Sequence, residues 1–284
     1  MNLHVIDTGT FKLDGGAMFG VVPKSIWQRT NPADANNMCT WSMRLMLIEN
    51  GKQLMLVDAG IGDKQDEKFF SHYYLSNLKT VEQALNEKGF SIDEVTDVFL
   101  THLHFDHCGG AINRKKSGEG YEPAFKKATY WSSERHWKWA TQPNAREKAS
   151  FLKENILPIE QSGQLKFIDR KSDFVENAFE NIDVLFVDGH TDSMMIPHIK
   201  YEDKTIVYMA DLLPSVGHIP LPYVMGYDTR PLITIDEKGK FLNKAADENY
   251  VLFLEHDSVN ECATLQHTEK GVRLGETLRL EDVL

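Results

Sequence analysis

The stretch VFLTHLHFDHCGG, Val98 to Gly110, sets His102, His104, Asp106 and His107 within six positions directly behind an apolar run. Without partners, four such groups beside a core strand would cost on the order of several kcal/mol. A bound cation removes that cost, and imidazole with carboxylate is the donor chemistry of zinc and similar divalent metals. His102 and His104 alternate with one apolar residue, so on an extended segment both imidazoles point the same way and share one cation. Asp106 and His107 are adjacent, their side chains diverge, and they serve a second centre.

Three further donors stand behind apolar runs elsewhere. IDVLFV is followed by Asp188-Gly189-His190, TIVYMA by Asp211, and YVLFL by Glu255-His256. Buried strands that each end in a His or Asp bring those residues to the rim where the loops of a layered fold converge. On this reading His190 completes the first centre and His256 the second, with His218 and His267 as its substitutes. Asp211 bridges with its two oxygens, and two metals about 3.5–4 Å apart hold one hydroxide for hydrolysis.

The elements that must position these groups are short. Asn50-Gly51 is a hairpin dipeptide between the runs Trp41–Glu49 and Gln53–Val57. TVEQALNEK puts Val81, Ala84 and Leu85 on one helical face and stops at Gly89, a C-cap. SSERHWKWA and NAREKASFLKENIL read as helices capped by Ser132 or Ser133 and by Asn144. Two β-rich regions, each followed by helices, give two sheets covered outside by helices. With no repeat, low-complexity tract or linker in view, residues 1–284 read as one domain, and 1–40 as an extension that lines a pocket or a dimer contact.

Composition narrows the partners. The formal charge is −11, from 42 acidic and 31 basic residues, with no basic cluster dense enough for a row of phosphates. A small molecule is therefore expected as partner, and no nucleic acid. Cys39, Cys108 and Cys262 form no C-x-x-C pair, which fits a reducing cytoplasm, and Cys108 reads as a small packed thiol. Asp7 interrupts any secretory apolar region, and no run approaches the ~18 apolar residues of a membrane span. Trp131, Trp137 and Trp139 read as core or helix packing.

At the histidine cluster the sequence resembles the metallo-β-lactamase superfamily, whose H-x-H-x-D-H is here His102-Leu103-His104-Phe105-Asp106-His107, followed by Gly109-Gly110. Gly189-His190-Thr191, Asp211 and His256 match its later markers in order, and LMLVDAG resembles its early strand ending in Asp-x-Gly. The resemblance covers about residues 40 to 260. It implies an α/β fold of the four-layer αβ/βα sandwich type, two Zn²⁺ per chain with Mn²⁺, Co²⁺ or Fe²⁺ as alternatives, and Asp58 as the group that orients a ligand histidine. Asp211 stands where β-lactamases of this fold carry Cys, and His104 where the flavodiiron oxidoreductases carry Glu; the resemblance therefore disfavours both activities.

ADLLPSVGHIPLPYVMGYD and GAMFGVVPKSIW resemble the branch of N-acyl homoserine lactone lactonases and methyl parathion hydrolases. That branch implies a homodimeric quorum-quenching hydrolase in which a metal-bridging hydroxide opens a lactone, with Asp106 or Asp211 handling the proton. Phe19, Ile26, His218, Ile219, Leu221 and Tyr223 are the expected pocket. A phosphotriester hydrolase, a glyoxalase II-like thioesterase and a non-catalytic metal-binding sensor are the alternatives. Two departures stand out. Gly189-His190-Thr191-Asp192-Ser193 replaces the family's Gly-His-Thr-Pro-Gly, and Pro214 replaces a substrate-contacting Tyr found in a group of the lactonases.

Overall fold

Residues 1–284 are all described by the computed structural model, and contacts divide them into two units. Unit one is Met1–Gly9 with Met43–Asp169; unit two is Thr10–Ser42 with Arg170–Leu284.

Unit one is organised by a six-stranded sheet. Its strands are β1 (Asn2–Asp14) and β2 (Met38–Asn50), both of which continue into unit two, then β3 (Gln53–Val57), β4 (Asp97–Phe99), β7 (Thr129–Ser132) and β8 (Leu165–Phe167), in the order β1-β2-β3-β4-β7-β8. A ribbon of β5 (Ile112–Arg114) and β6 (Tyr121–Pro123) is separate. The β2–β3 hairpin forms as expected, one residue out of step with the dipeptide. Asn50 pairs with Gln53, so Gly51 and Lys52 make the turn, and Gly51 takes the left-handed conformation at φ +61°. From β3 onward the strands are parallel, with Val57 level with Phe99 and Phe99 with Trp131. Parallel strands that end level deliver their next residues to one edge, and here those are Asp58 and the segment Thr101–His107.

Behind this edge Leu47, Leu56, Val98, Leu100, Tyr130 and Ile156 are buried in one cluster, each aliphatic side chain worth roughly 1.5–3 kcal/mol. The helix Val81–Glu87 joins it through Val81, Ala84 and Leu85, with Thr80 and Gln83 forming a capping box. Ser133 caps the helix Glu134–Thr141. NAREKASFLKENIL departs from expectation, because only Lys153–Gln161 is helical. Asn144 Oδ1 takes the N–H groups of Arg146 and Glu147 at 2.9 and 3.1 Å, as an N-cap does, and the Lys148 N–H reaches the Asn144 carbonyl at 3.1 Å, but the Ser150 N–H goes back to the Glu147 carbonyl at 2.8 Å and the turn does not propagate. Trp131 is likewise a strand residue, its indole bonded to Asp97 at 2.7 Å.

Unit two contains a seven-stranded sheet of β9 (Phe174–Phe179), β10 (Ile182–Val187), β11 (Met194–Tyr201), β12 (Lys204–Tyr208), β13 (Val251–Phe253), β14 (Cys262–Thr268) and β15 (Gly271–Leu278), in the order β15-β14-β13-β12-β11-β10-β9. All its pairs are antiparallel except β12–β13, where Tyr208 is level with Phe253. The helix Pro231–Asp247 buries Thr234, Lys238, Phe241, Leu242 and Ala245 along one stripe. Lys238 is a lysine inside that stripe. Its ammonium donates to the carbonyls of His218, Pro220 and Tyr223 at 2.9, 3.3 and 2.7 Å, which fixes the loop they belong to. No helix is long and apolar enough to cross a membrane.

Candidate metal centre

In unit one the cluster leaves β4 in extended backbone and turns at His104 into the short helix Phe105–Cys108. His102, His104, Asp106 and His107 are all buried. His102 Nε2 lies 3.0 Å from His104 Nδ1, so the two imidazoles converge as their alternation requires. Asp58 sits at φ +60°, a strained conformation for a residue with a side chain, and its carboxylate organises the loop. It takes the Thr101 N–H at 2.8 Å and the Thr101 hydroxyl at 2.7 Å, and His107 Nδ1 lies 3.0 Å away. Thr101 Oγ1 in turn lies 3.1 Å from His102 Nδ1, so one buried carboxylate orients two imidazoles.

The end of the loop is equally constrained. A Cβ on Gly109 would fall 2.0 Å from the Ile61 carbonyl oxygen, and one on Gly110 2.1 Å from that of Ala59. The glycine pair is therefore demanded by close backbone approach. Lys64, buried, donates to the Gly109 carbonyl, and burial brings its pKa down to about 8. His136 Nε2 accepts the Leu103 N–H at 2.9 Å and so pins the backbone between His102 and His104. Cys108 is buried with its thiol pushed up to about 12 by desolvation, as a packed thiol should be.

In unit two His190 lies just beyond β10, Asp211 beyond β12 and His256 beyond β13, the last two on adjacent parallel strands. Asp211 Oδ2 is 3.1 Å from His190 Nε2 and Asp211 Oδ1 is 3.2 Å from His256 Nε2. One carboxylate thus turns a separate oxygen to each imidazole. Their other nitrogens are anchored, His190 Nδ1 at 3.0 Å from Asp228 Oδ1 and His256 Nδ1 at 2.8 Å from the Ser42 carbonyl. Burial opposes charge on His190, yet Asp211 and Asp228 outweigh it and raise its pKa to about 10. With no cation present these carboxylates favour a proton on His190, so a metal bound at Nε2 would displace that proton and take over its place between the carboxylates.

The altered turn after His190 has a local explanation. Ser193 adopts φ +58° where the family pattern carries Gly, and it is held there by its N–H on Asp188 Oδ1 at 2.9 Å. Asp192 pairs with Arg230 at 2.9 Å, and Glu237 accepts the N–H groups of Asp188 and Gly189 at 2.7 and 3.0 Å. Ion pairs and a helix side chain hold the turn that Pro-Gly would otherwise shape.

The expected pocket residues all lie in unit two, in two different states. Phe19 is buried and stacked on Trp27 and on His218, with ring centroids 5.3 and 4.3 Å apart, and Ile219 is buried as well. Both His218 nitrogens are engaged inside the protein, Nδ1 with Ser215 Oγ and Nε2 with the Met18 carbonyl, each at 2.9 Å. Ile26 and Leu221 are exposed, and Tyr223 is half-buried. His267 is exposed on β14 and pairs with Asp247, which removes it as a substitute for His256.

Glu147, Asp228, Lys64 and Lys238 carry no motif, and sequence reasoning passed over all four. Their only signals were charged residues within otherwise apolar or turn-forming segments.

Comparison with known proteins places the chain. The model of the metallo-beta-lactamase superfamily matches residues 45–256. A probable metal-dependent hydrolase from Staphylococcus aureus is 25% identical, with 98% of each chain covered and a TM-score of 0.85. AidC, a dizinc quorum-quenching lactonase solved with the product N-hexanoyl-L-homoserine, is 21% identical over 98% of this chain and 95% of its own, at a TM-score of 0.77. The hydrolase AbOPH of the beta lactamase superfamily is 19% identical over 98% and 94%, at 0.78. A search of curated protein sequences returns no significant match. The mixed α/β architecture is that of the superfamily's sandwich fold, the buried His/Asp clusters are suited to divalent metals, and the chain belongs to the metallo-beta-lactamase superfamily.

Proposed function

We propose that this chain, a hydrolase of the superfamily, opens a lactone of the N-acyl homoserine lactone type with two zinc ions. His102, His104 and His190 would hold one ion, Asp106, His107 and His256 the other, and Asp211 would serve both. The observation that carries this reading is Asp211 itself, whose two oxygens face two different imidazoles at 3.1 and 3.2 Å. A carboxylate so divided suits two cations better than one.

Two divalent ions, when bound, supply a hydroxide nucleophile at neutral pH and a Lewis acid for the carbonyl oxygen. The remaining work falls to the protein. Asp58 and Asp228 hold His107 and His190 in the tautomer that keeps Nε2 available for a ligand bond. Asp106 or Asp211 would take the proton at a carboxylate oxygen and return it to the alkoxide oxygen released when the ring opens, giving the alcohol. Ile26, Leu221 and Tyr223 would border the acyl chain, with Phe19, His218 and Ile219 as packed support beneath.

Lactone substrates are supported by structural neighbours named as lactonases. We further propose a single functional domain acting on a small molecule in the cytoplasm, as a homodimer. The test is a substrate panel with elemental analysis. Two metals per chain and N-acyl homoserine lactones turned over faster with longer acyl chains are expected, each buried methylene being worth up to ~0.8 kcal/mol. An aryl phosphotriester hydrolysed with a kcat/KM well above every lactone would overturn the substrate assignment. A metal content that stays at one or below after zinc or manganese supplementation would overturn the dinuclear one.

A further inference from the structure

The histidines of the two clusters obey a rule with one exception. His102, His107, His190 and His256 each anchor Nδ1, on Thr101 Oγ1, Asp58 Oδ2, Asp228 Oδ1 and the Ser42 carbonyl, at 2.8 to 3.1 Å. His104 is turned the other way. Its Nδ1 is the nitrogen that converges on His102 Nε2, at 3.0 Å, and its Nε2 lies 3.5 Å from Glu147 Oε1. That carboxylate is 3% exposed and already aimed, because its Oε2 accepts the Trp139 indole N–H at 2.7 Å and the Asn144 amide at 2.6 Å.

The surrounding segment is built to hold Glu147 there. Asn144 Oδ1 takes the Glu147 N–H, Ser150 accepts the Phe105 N–H from the metal loop at 3.0 Å, and the Phe151 ring packs on His104 with centroids 4.8 Å apart. This is the stretch that turns instead of continuing as a helix.

We propose that Glu147 is the positioning residue of His104, fixing the proton on Nε2 so that Nδ1 presents its lone pair to the metal. The proposal rests on the reading of His104 as a metal ligand. It predicts that Glu147→Gln, which keeps the size and the acceptor for Trp139 but removes the charge, weakens binding of one metal about 10- to 100-fold and leaves the other near wild type. Zinc affinity is measured by chelator competition, and cobalt loading by its visible spectrum, where Glu147→Gln should alter the bands of one site.

Urea unfolding of the metal-free proteins controls for packing, and Trp139→Phe, which loosens the carboxylate without removing it, should give a smaller loss in the same site. Wild-type affinity and an unchanged cobalt spectrum in Glu147→Gln would overturn the proposal, as would a loss shared equally by both sites. If the wild-type protein binds no zinc or cobalt at all, the ligand assignment of His104 fails first. That result is distinguishable, because it appears before any substitution is made.

Discussion

In unit one the donors leave a single loop, His102 to His107, and a carboxylate from a neighbouring strand end, Asp58, orients two of them at once. In unit two His190, Asp211 and His256 leave three loops far apart in sequence, each with its own anchor: Asp228 for His190, the Ser42 carbonyl for His256, and for Asp211 the two imidazoles themselves. A local cluster shares its supports, whereas a dispersed one must build a support for each member. The damage done by a substitution should therefore depend on which unit it falls in and how many donors its target holds.

The largest effect is expected at Asp211, the group on which both imidazoles of unit two converge. Asp211→Ala should lower kcat/KM about 1,000-fold or more and reduce metal content below that of wild type. His267→Ala, on an exposed histidine, is the control and should stay within about twofold of wild type. Retention of a tenth of the activity by Asp211→Ala would show that unit two contributes through its histidines alone.

The same contrast decides what could be read from the sequence. The convergence of the unit-one candidates was legible because an extended segment and one helical turn are enough to fix the relation of residues so close in the chain. The unit-two candidates were legible only by position, each lying behind an apolar run that proved to be a buried strand. Their anchors were not legible, since Asp228 and Ser42 approach His190 and His256 through tertiary structure that no spacing encodes. Glu147 was hidden by its own segment. Its composition is that of a helix, yet after the one turn that Asn144 caps, the Ser150 N–H returns to the Glu147 carbonyl, the chain leaves helical bonding, and the carboxylate is buried. The hairpin shows the opposite limit, where a local signal gave the turn but missed its centre by one residue.

Unit two also carries buried histidines away from its metal-avid groups that respond to acid. His198 lies on β11 with its ring edge-on to Phe174, Phe241 and Tyr250, and its Nδ1 hydrogen is given to the Ile196 carbonyl. Burial lowers its pKa to about 4, with the bond to Ile196 opposing only in part. Between the ordinary value near 6.5 and this one, the unfolded chain binds a proton that the folded chain refuses, so stability falls as pH drops through that window and is unaffected above it. The loss is about 2 kcal/mol at pH 5 and about 3 kcal/mol at pH 4. His218, lowered to about 3 by burial, adds to it. In metal-free protein the urea midpoint should drop from pH 7.5 to 5, and His198→Phe should recover part of that drop. An equal drop in both proteins would mean that His198 is not buried as a neutral ring.

The smallest and most discriminating effect separates Asp58 from Asp228. Each holds an imidazole through Nδ1 at 3.0 Å and each is buried, so by the pairwise bond alone Asp58→Asn and Asp228→Asn should be equivalent, both weakening metal binding about 10-fold. Their further partners differ. Asp228 also accepts the Met225 N–H, at 3.2 Å, within its own turn, whereas Asp58 accepts both Thr101 groups and through Thr101 reaches His102. An asparagine at 58 with its amide N–H at the Oδ2 position faces both the Thr101 hydroxyl and His107 Nδ1, so it disturbs His102 and His107 together. Asp58→Asn should therefore approach a 100-fold loss and affect both metals, while Asp228→Asn stays nearer 10-fold and affects one. Stepwise zinc titration reads this directly. Equal losses from the two variants would show that the shared carboxylate acts on His107 alone, and that unit one, for all its compactness, supports its ligands one at a time as unit two does.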